Sequence, residues 1–232
     1  SFIGYTHRLA ARFDNRFEFV AGVFSKDKKK SKEFGKSLGL DPDRCYNDYK
    51  VMAKKESARS DGLQALGIMT PSGDHYNIAK EFIKNKVHII CDKPLTAKVE
   101  DAVALENLVT KNKIVFALTH NYSGYPMLRE AKKLIEKNKI GKIKVINVEY
   151  PQGYTVAVKK KDEKNTLKWR LDKNMCGPSM ILAEIGTHAY HLMRYVTDLE
   201  VKEVSAEVNS LSEEISVDDN AFMIVRMNNQ AR

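Results

Sequence analysis

The sequence of 232 residues predicts an α/β fold in which a doubly wound parallel sheet is followed by part of an α+β domain with a mixed or antiparallel sheet. As far as Asn138, short apolar segments alternate with helical segments of about a dozen residues. Strands separated in this way pair in parallel through right-handed crossovers. After Ile143 the alternation stops, and the last two strand candidates follow each other without a clear helix between them.

Each element follows from a local pattern. Helices are predicted where apolar residues recur at helical spacing, over residues 5–13, 25–38, 47–58, 76–85, 99–111, 127–138 and 179–195. Strands are predicted where apolar and β-branched residues form short runs or alternate, over residues 17–24, 63–69, 87–91, 114–118, 145–150, 200–208 and 221–227. We expect Gly39 to end the second helix and Asn47 to cap the third. The first four strands should lie parallel in one sheet, and the domains should span residues 1–122 and 123–232.

The charge and the cysteines limit the classes of function. The net charge of +9 comes from lysines that are densest at residues 26–32 and 159–164. Aromatic residues do not interleave with these runs, so we interpret them as solvated faces and expect no nucleic-acid partner. The apolar runs are too short for a membrane span and no signal pattern begins the chain, so we expect a cytoplasmic protein without a membrane partner. The cysteines show no C-x-x-C pairing, so neither disulfides nor a cysteine metal site are expected.

One short segment organises the functional hypothesis. The β-branched run at 88–91 is typical of a buried strand, and Asp92, Lys93 and Pro94 follow it. In open α/β sheets, ligands bind just beyond such strand ends. Pro94 keeps Lys93 out of the α region, so the ammonium group is presented from an extended backbone. Thr70, which follows the preceding strand, should lie at the same carboxyl edge of the sheet.

A second set of polar residues falls in the predicted helix at 179–195. Glu184, His188 and His191 are spaced i, i+4 and i+7, which places them on one face of a regular helix. Hydride transfer between an alcohol and a nicotinamide needs a base near the hydroxyl, and the ordinary histidine pKa of about 6.5 suits that task. We interpret His188 as the proton-transfer residue, Glu184 as the neighbour that favours its imidazolium, and Lys93 as a donor to the same oxygen.

Two other functions are compatible with these residues. Glu184, His188 and His191 could bind a divalent metal in an isomerase or hydrolase, although the sequence has no H-E-x-x-H motif. The protein could also bind a cofactor without catalysis, as a sensor or subunit. Bound metal would indicate the first alternative, and turnover with any polyol would exclude the second.

Five segments, in this order, resemble those of the Gfo/Idh/MocA oxidoreductases, the glucose-fructose oxidoreductase and inositol dehydrogenase family. Residues 70–75 (TPSGDH) are similar to the family's T-P-x-x-x-H segment, and residues 92–95 (DKPL) to its E-K-P-L signature. Residues 119–121 (THN) resemble its substrate and cofactor turn. Residues 169–170 (WR) and 184–188 (EIGTH) resemble its W-R…D-x-G-x-H segment.

The resemblance implies a Rossmann-like domain that binds NAD or NADP, a sugar or polyol substrate, and the catalytic roles given above for Lys93, His188 and Glu184. The residues implied in cofactor binding are Gly4, Ser25, Lys26, Lys30, Thr70, Pro71, His75, Asp92 and Asn121. The residues implied in substrate binding are Tyr122, Trp169, Arg170 and His191. No metal is expected. We expect a homo-oligomer that forms through the sheet of the second domain.

The end of the second strand of such a sheet indicates which cofactor is preferred. An acid at this place would hydrogen-bond the ribose hydroxyls of NAD. Ser25 and Lys26 follow the 17–24 strand instead, and Lys26 or Lys30 could pair with a 2′-phosphate. We therefore expect NADP to be preferred, although an exposed, lysine-rich helix start explains the pattern nearly as well.

The sequence departs from the family pattern at several places. Glu184 stands where the family has Asp, His191 occupies the place of a common Asp, and residues 176–178 (CGP) replace a glycine-rich turn. The chain begins within or just after the family's G-x-G-x-x-G turn, without the first strand, and stops part-way through the second domain. We therefore expect the chain to be a fragment of a longer protein, or the missing strand to be supplied otherwise.

Overall fold

The structure is a computed structural model that describes residues 2–153, 155, 168–213 and 215–232. The lysine run at 159–164, which we interpreted as a solvated face, lies outside the described residues. The chain forms two compact units. Unit 1 contains Ser1–Thr70, Asp74–Leu95 and Val99–Leu118, and unit 2 contains Pro71–Gly73, Thr96–Lys98 and Thr119–Arg232.

As far as α6, the described helices and strands alternate. The helices are α1 (Phe2–Arg12), α2 (Lys28–Ser37), α3 (Tyr49–Ser57), α4 (Ser72–Lys84), α5 (Val99–Asn112), α6 (Pro126–Glu136), α7 (Lys173–Cys176) and α8 (Thr187–Thr197). The strands are β1 (Gly22–Val23), β2 (Cys45–Tyr46), β3 (Ala65–Ile68), β4 (His88–Asp92), β5 (Phe116–Thr119), β6 (Val201–Asn209) and β7 (Asn220–Met227). Short 3-10 turns cover Pro42–Arg44, Asn121–Gly124 and Lys168–Leu171, and a π-helical turn covers Leu182–Gly186.

The central sheet of unit 1 has the strand order β3-β4-β5. β3 and β4 are parallel, with Ile68 opposite Cys91, so Thr70 and Lys93 follow the same edge of the sheet, as predicted. The prediction that the 17–24 strand joins this sheet is wrong. Only its residues Gly22 and Val23 form a strand, and they pair in parallel with β2, which the sequence pattern did not reveal. Two residues are too short a run to show a periodicity of two.

Aspartates start the helices that flank β2. Asp27 caps α2 by accepting a hydrogen bond from the Lys30 amide, and Asp48 caps α3 through the amides of Lys50 and Val51. The prediction that Asn47 caps α3 is therefore wrong. The Asn47 amide instead donates to the Lys26 carbonyl oxygen at 3.3 Å, which ties the start of α3 to the loop after β1.

Helices and strands of unit 1 bury a common apolar core. Its fully enclosed members lie on β3, α4, β4 and α5, and they include Ile68, Phe82, Ile83, Ile89 and Leu105. Burial of such side chains contributes about 1.5–3 kcal/mol each, which favours the packed sheet over the open chain. The sheet edge with Thr70 and Lys93 is therefore supported by a well-packed core.

Unit 2 is built around α6, α8 and an antiparallel ribbon of β6 and β7. A small core of Met193, Met227 and Ala231 lies between these elements. The predicted strand at 145–150 is wrong, because these residues form no regular strand. Ile146 donates its amide to the carbonyl oxygen of Arg232 at 2.8 Å without becoming part of a strand.

A glycine allows close packing within unit 2. Gly177 has φ +91°, and a Cβ atom there would lie 2.4 Å from the carbonyl oxygen of Ala97. The Ser72 hydroxyl donates to the Met175 carbonyl oxygen at 3.2 Å. The CGP turn thus packs against the segment 96–98, and the segment 71–73 contacts α7.

Candidate active site

The ring of His75 connects the two segments that follow β3 and β4 in unit 1. Its Nδ1 atom lies 2.9 Å from the Pro94 carbonyl oxygen, and its Nε2 atom lies 2.9 Å from the Thr70 carbonyl oxygen. The side chain is 1% exposed, so both contacts are shielded from water. His75 therefore braces the sheet edge on which Lys93 lies. Its contact with a cofactor stays a prediction.

Asp92 and Lys93 lie where β4 ends, directly before Pro94, and the Lys93–Pro94 peptide bond is cis. A carboxylate oxygen of Asp92 lies 3.9 Å from Nε2 of His7 on α1, and both side chains are mostly buried. The sequence did not single out His7. Its interaction with Asp92 connects α1 to the strand end that presents Lys93.

The loop after β1 and the first turn of α2 hold three of the residues predicted to bind cofactor. The Ser25 hydroxyl accepts a hydrogen bond from the Asp27 amide at 3.1 Å, while the side chains of Lys26 and Lys30 are exposed. Asp27 is the acid nearest to the end of β1, but its carboxylate binds the Lys30 amide of its own helix. The loop and the first turn of α2 therefore offer a hydroxyl and two ammonium groups, and the Asp27 carboxylate is already engaged.

The remaining predicted cofactor residues lie at three other places. Gly4 is buried in α1, Pro71 directly precedes α4, and Asn121 is exposed at the start of the 3-10 turn after β5. The last two belong to unit 2. Their roles stay predictions.

The helix that carries Glu184 and His188 is not regular. A π-helical turn covers Leu182–Gly186, and α8 continues from Thr187. The regular-helix geometry predicted for the i, i+4 pair Glu184 and His188 is therefore wrong, whereas the i, i+3 pair His188 and His191 lies within the regular helix α8. π-turns of this kind interrupt helices at functional sites with high frequency.

Asp218 anchors the start of this helix from a distant part of the chain. Its carboxylate accepts hydrogen bonds from the Ser179 hydroxyl at 2.6 Å and from the amides of Met180 and Ile181 at 2.8 and 3.0 Å. These amides would otherwise be unpaired donors of the first helical turn. The anchor holds the π-turn and its glutamate in place.

Glu184 is buried and forms an ion pair with Arg170. The Arg170 Nε atom donates to Oε2 of Glu184 at 2.7 Å, and the Glu184 side chain is 8% exposed. The Arg170 guanidinium also lies over the Trp169 ring, 4.4 Å from its centre. Trp169 and Arg170, both predicted to bind substrate, are thus stacked on each other. Arg170 also contacts Glu184, a predicted catalytic residue.

Five rings of unit 2 form what we call the His188 cluster: His120, Tyr122, Tyr150, His188 and His191. The Tyr122 ring meets the His188 ring edge-on at 4.8 Å, and the hydroxyls of Tyr122 and Tyr150 are hydrogen-bonded. His120 stacks on His191 at 4.0 Å with an interplanar angle of 7°, and its centre lies 6.0 Å from that of His188. The cluster surrounds the proposed proton-transfer residue with polar aromatic groups.

A cavity of about 220 Å³ opens beside this cluster. Its lining combines apolar side chains with a few polar groups and consists of Tyr122, Val148, Glu149, Tyr150, His188, Ala189 and Leu192. The hydrogen bond with Tyr150, together with burial, raises the pKa of Tyr122 to about 12, so this hydroxyl keeps its proton. Burial and the charge of Arg194 lower the pKa of His191, which favours its neutral form.

The described residues give no support to the metal alternative. Within residues 2–153, 155, 168–213 and 215–232, no group of three or more His, Cys, Asp or Glu side chains is arranged to hold a metal ion. Of the proposed ligands, Glu184 binds Arg170 and His191 stacks on His120. The cysteines are buried thiols, and burial raises the pKa of Cys91 to about 12, so it is a poor nucleophile.

The sequence did not assign roles to two residues of the His188 cluster. His120 was part of the THN segment, so its position next to Asn121 after β5 could have marked it. Tyr150 had no such signal, because its partner Tyr122 lies 28 positions away along the chain.

Helices long and apolar enough to cross a membrane are absent from the part of the chain that the structure describes.

Two family models match the chain. The model described as "Oxidoreductase family, NAD-binding Rossmann fold" matches residues 1–120, and the model described as "GFO/IDH/MocA C-terminal domain" matches residues 128–232. Both parts of the chain are therefore recognised independently.

The chain is also similar to proteins named as an oxidoreductase and a dehydrogenase. The uncharacterized oxidoreductase YfiI of Bacillus subtilis is 33% identical over 232 residues, which cover 99% of this chain and 59% of that protein. Levoglucosan dehydrogenase of Pseudarthrobacter phenanthrenivorans is 33% identical over 134 residues, which cover 58% of this chain and 33% of that enzyme.

A solved structure extends the similarity to three dimensions. An inositol dehydrogenase homolog complexed with NAD⁺ from Azotobacter vinelandii has a TM-score of 0.94 and 32% identity, and the match covers 100% of this chain and 60% of that chain. The present chain thus spans about six tenths of the length of YfiI and of this structure. It belongs to the GFO/IDH/MocA family of NAD-binding oxidoreductases.

Proposed function

We propose that the protein transfers a hydride between a nicotinamide cofactor and a hydroxyl-bearing carbon of a sugar or polyol. The proposal rests on the position of His188, which lines a small cavity together with the hydroxyl-bearing rings of Tyr122 and Tyr150. A histidine suits proton exchange with a substrate hydroxyl near neutral pH, and tyrosine hydroxyls can hydrogen-bond the other hydroxyls of a polyol.

The family membership supports this assignment and its substrate class. Related structures include levoglucosan dehydrogenase in complex with levoglucosan and an inositol dehydrogenase homolog in complex with myo-inositol, and both compounds carry several hydroxyl groups on a ring. The bound cofactor supplies the hydride acceptor. The protein groups we assign are His188 for proton transfer from the hydroxyl, Lys93 as a hydrogen-bond donor to the same oxygen, and Glu184 as the carboxylate that favours the imidazolium.

The test is a dehydrogenase screen of the whole protein against sugars and polyols with both cofactors. We expect reduced nicotinamide to form with at least one cyclic polyol or sugar. A protein that binds NAD or NADP but turns over none of these compounds would support the non-catalytic alternative, and activity that depends on added metal would support the metal alternative.

We propose further that NADP is the preferred cofactor. The loop after β1 fits this choice, because Lys26 and Lys30 are exposed and the Asp27 carboxylate is engaged by its own helix. An ammonium group can pair with the 2′-phosphate, whereas a carboxylate would be needed to favour NAD. Lys26→Glu is expected to narrow the difference between the dissociation constants for NADP and NAD, measured by titration of the whole protein.

The matched control for this cofactor prediction is Lys36→Glu. It makes the same change of charge in the last turn of α2, away from the loop. Its effect on the preference should be much smaller than that of Lys26→Glu. Equal affinity for NADP and NAD, unchanged by Lys26→Glu, would contradict the prediction.

Three organisational proposals accompany the activity. Residues 1–122 would form the dinucleotide-binding domain, and residues 123–232 would contribute to the substrate and oligomerisation domain. A homo-oligomer would form through the sheet that contains β6 and β7, where Phe222 and Ile224 are 69% and 72% exposed. The buried thiols support a cytoplasmic, reducing location.

A further inference from the structure

The ion pair between Arg170 and Glu184 encloses a predicted catalytic residue of unit 2. The side chains are 29% and 8% exposed, and their contact is 2.7 Å long. A carboxylate buried to this extent is costly unless a cation or several donors compensate for the water it has lost. Arg170 supplies such a cation directly at the carboxylate oxygen.

The surroundings restrict the orientation of the guanidinium group. One face lies over the Trp169 ring at 4.4 Å, and the Nε edge points at Glu184. Stacking and a hydrogen bond along the edge together fix the plane of an arginine side chain. The pair thus joins the 3-10 turn Lys168–Leu171 to the π-turn Leu182–Gly186, two irregular segments that their own hydrogen bonds hold less firmly than a regular helix.

We propose that Arg170 is a positioning residue that acts through Glu184, and that it does not act by binding the substrate. Its guanidinium holds the Glu184 carboxylate in one orientation on the π-turn. This inference rests on the proposed function, because the role of Glu184 next to His188 belongs to that proposal. It replaces the substrate-binding role that the sequence implied for Arg170.

A double-mutant cycle separates the two roles of Arg170. Kinetics of the wild type, Arg170→Gln, Glu184→Gln and the double variant would be measured on the whole protein with a substrate found in the screen. A positioning role predicts that Arg170→Gln lowers kcat by roughly tenfold and leaves KM within about twofold. In the Glu184→Gln background, the same change should alter kcat by less than about twofold, because the group that it positions is already gone.

A substrate-binding role predicts a different pattern. Arg170→Gln would then raise KM by a similar factor in both backgrounds, and this result would overturn the inference. An unchanged kcat in Arg170→Gln would overturn it as well. Arg226→Gln is the matched control, since Arg226 pairs with Glu203 at 3.1 Å on the β6–β7 ribbon and is not part of the site. It should leave kcat and KM unchanged.

Unfolding in urea tests the contact without any need for turnover. Arg170→Gln should lower the unfolding midpoint in the wild-type background and have a smaller effect in the Glu184→Gln background, because only the wild-type background keeps the buried carboxylate with which Arg170 pairs. If Arg170→Gln does not fold, Arg170→Lys, which keeps the charge, replaces it in both cycles. Equal shifts of the midpoint in both backgrounds would overturn the inference, whereas a wild-type protein that turns over no sugar or polyol would overturn only the proposed function.

Discussion

His188→Ala is expected to lower kcat by roughly a hundredfold or more, the usual effect of removing a positioned acid or base. His188 is 8% exposed and lines the cavity beside Tyr122, where it is shielded from bulk water. A water molecule that takes its place would be a weaker base without a fixed orientation. Steady-state kinetics of the whole protein would give kcat, and cofactor titration should show an almost unchanged dissociation constant.

His191→Ala is the matched control for this prediction. His191 lies one turn further along α8 and stacks on His120, and the described cavity lining does not include it. Its removal should cost much less activity than that of His188. Undiminished turnover in His188→Ala would refute the catalytic assignment and make His188 an ordinary core histidine.

Lys93→Met is expected to lower kcat by a similar factor of roughly a hundred or more. The substitution keeps an unbranched side chain but removes the ammonium group proposed to donate to the reacting oxygen. The sheet edge itself should persist, because His75 holds the Thr70 and Pro94 carbonyl oxygens independently of Lys93. Kinetics and cofactor titration, as for His188→Ala, would separate the loss of chemistry from a loss of binding.

Lys98→Met is the control for the loss of a positive charge near this strand end. Lys98 is exposed, directly precedes α5, and should tolerate the change without loss of kcat.

The effects of Lys93→Met and His188→Ala on kcat should not add fully in the double variant, because both groups are assigned to one substrate oxygen. Full additivity would contradict that shared role, and a Lys93→Met enzyme with normal turnover would exclude Lys93 from catalysis.

Local patterns in the sequence were sufficient for the main architecture. Alternating strands and helices predicted the parallel pairing of β3 and β4, which places Thr70 and Lys93 at one edge of the sheet. The consecutive strand candidates after α8 became the antiparallel pair β6 and β7. These features could be predicted because a strand or helix with one buried face repeats its apolar residues at a fixed period.

The tertiary structure decided the features that depend on partners far apart in the chain. Residues 145–150 have a strand-like pattern but form no strand, whereas the two residues of β2 become a strand because β1 lies beside them. Periodicity does not reveal such pairings, because a strand exists only where a second backbone completes its hydrogen bonds.

The same division holds for the site. The sequence by itself determined which residue types were available: a lysine at a strand end, and a glutamate and two histidines on one helical segment. Only the tertiary structure decided their surroundings, including the π-turn at Glu184, its pairing with Arg170 and the stacking of His120 on His191. The physical reason is that the cost of burying a charge or an imidazole depends on the groups packed around it, and those groups come from segments that the chain brings together only on folding.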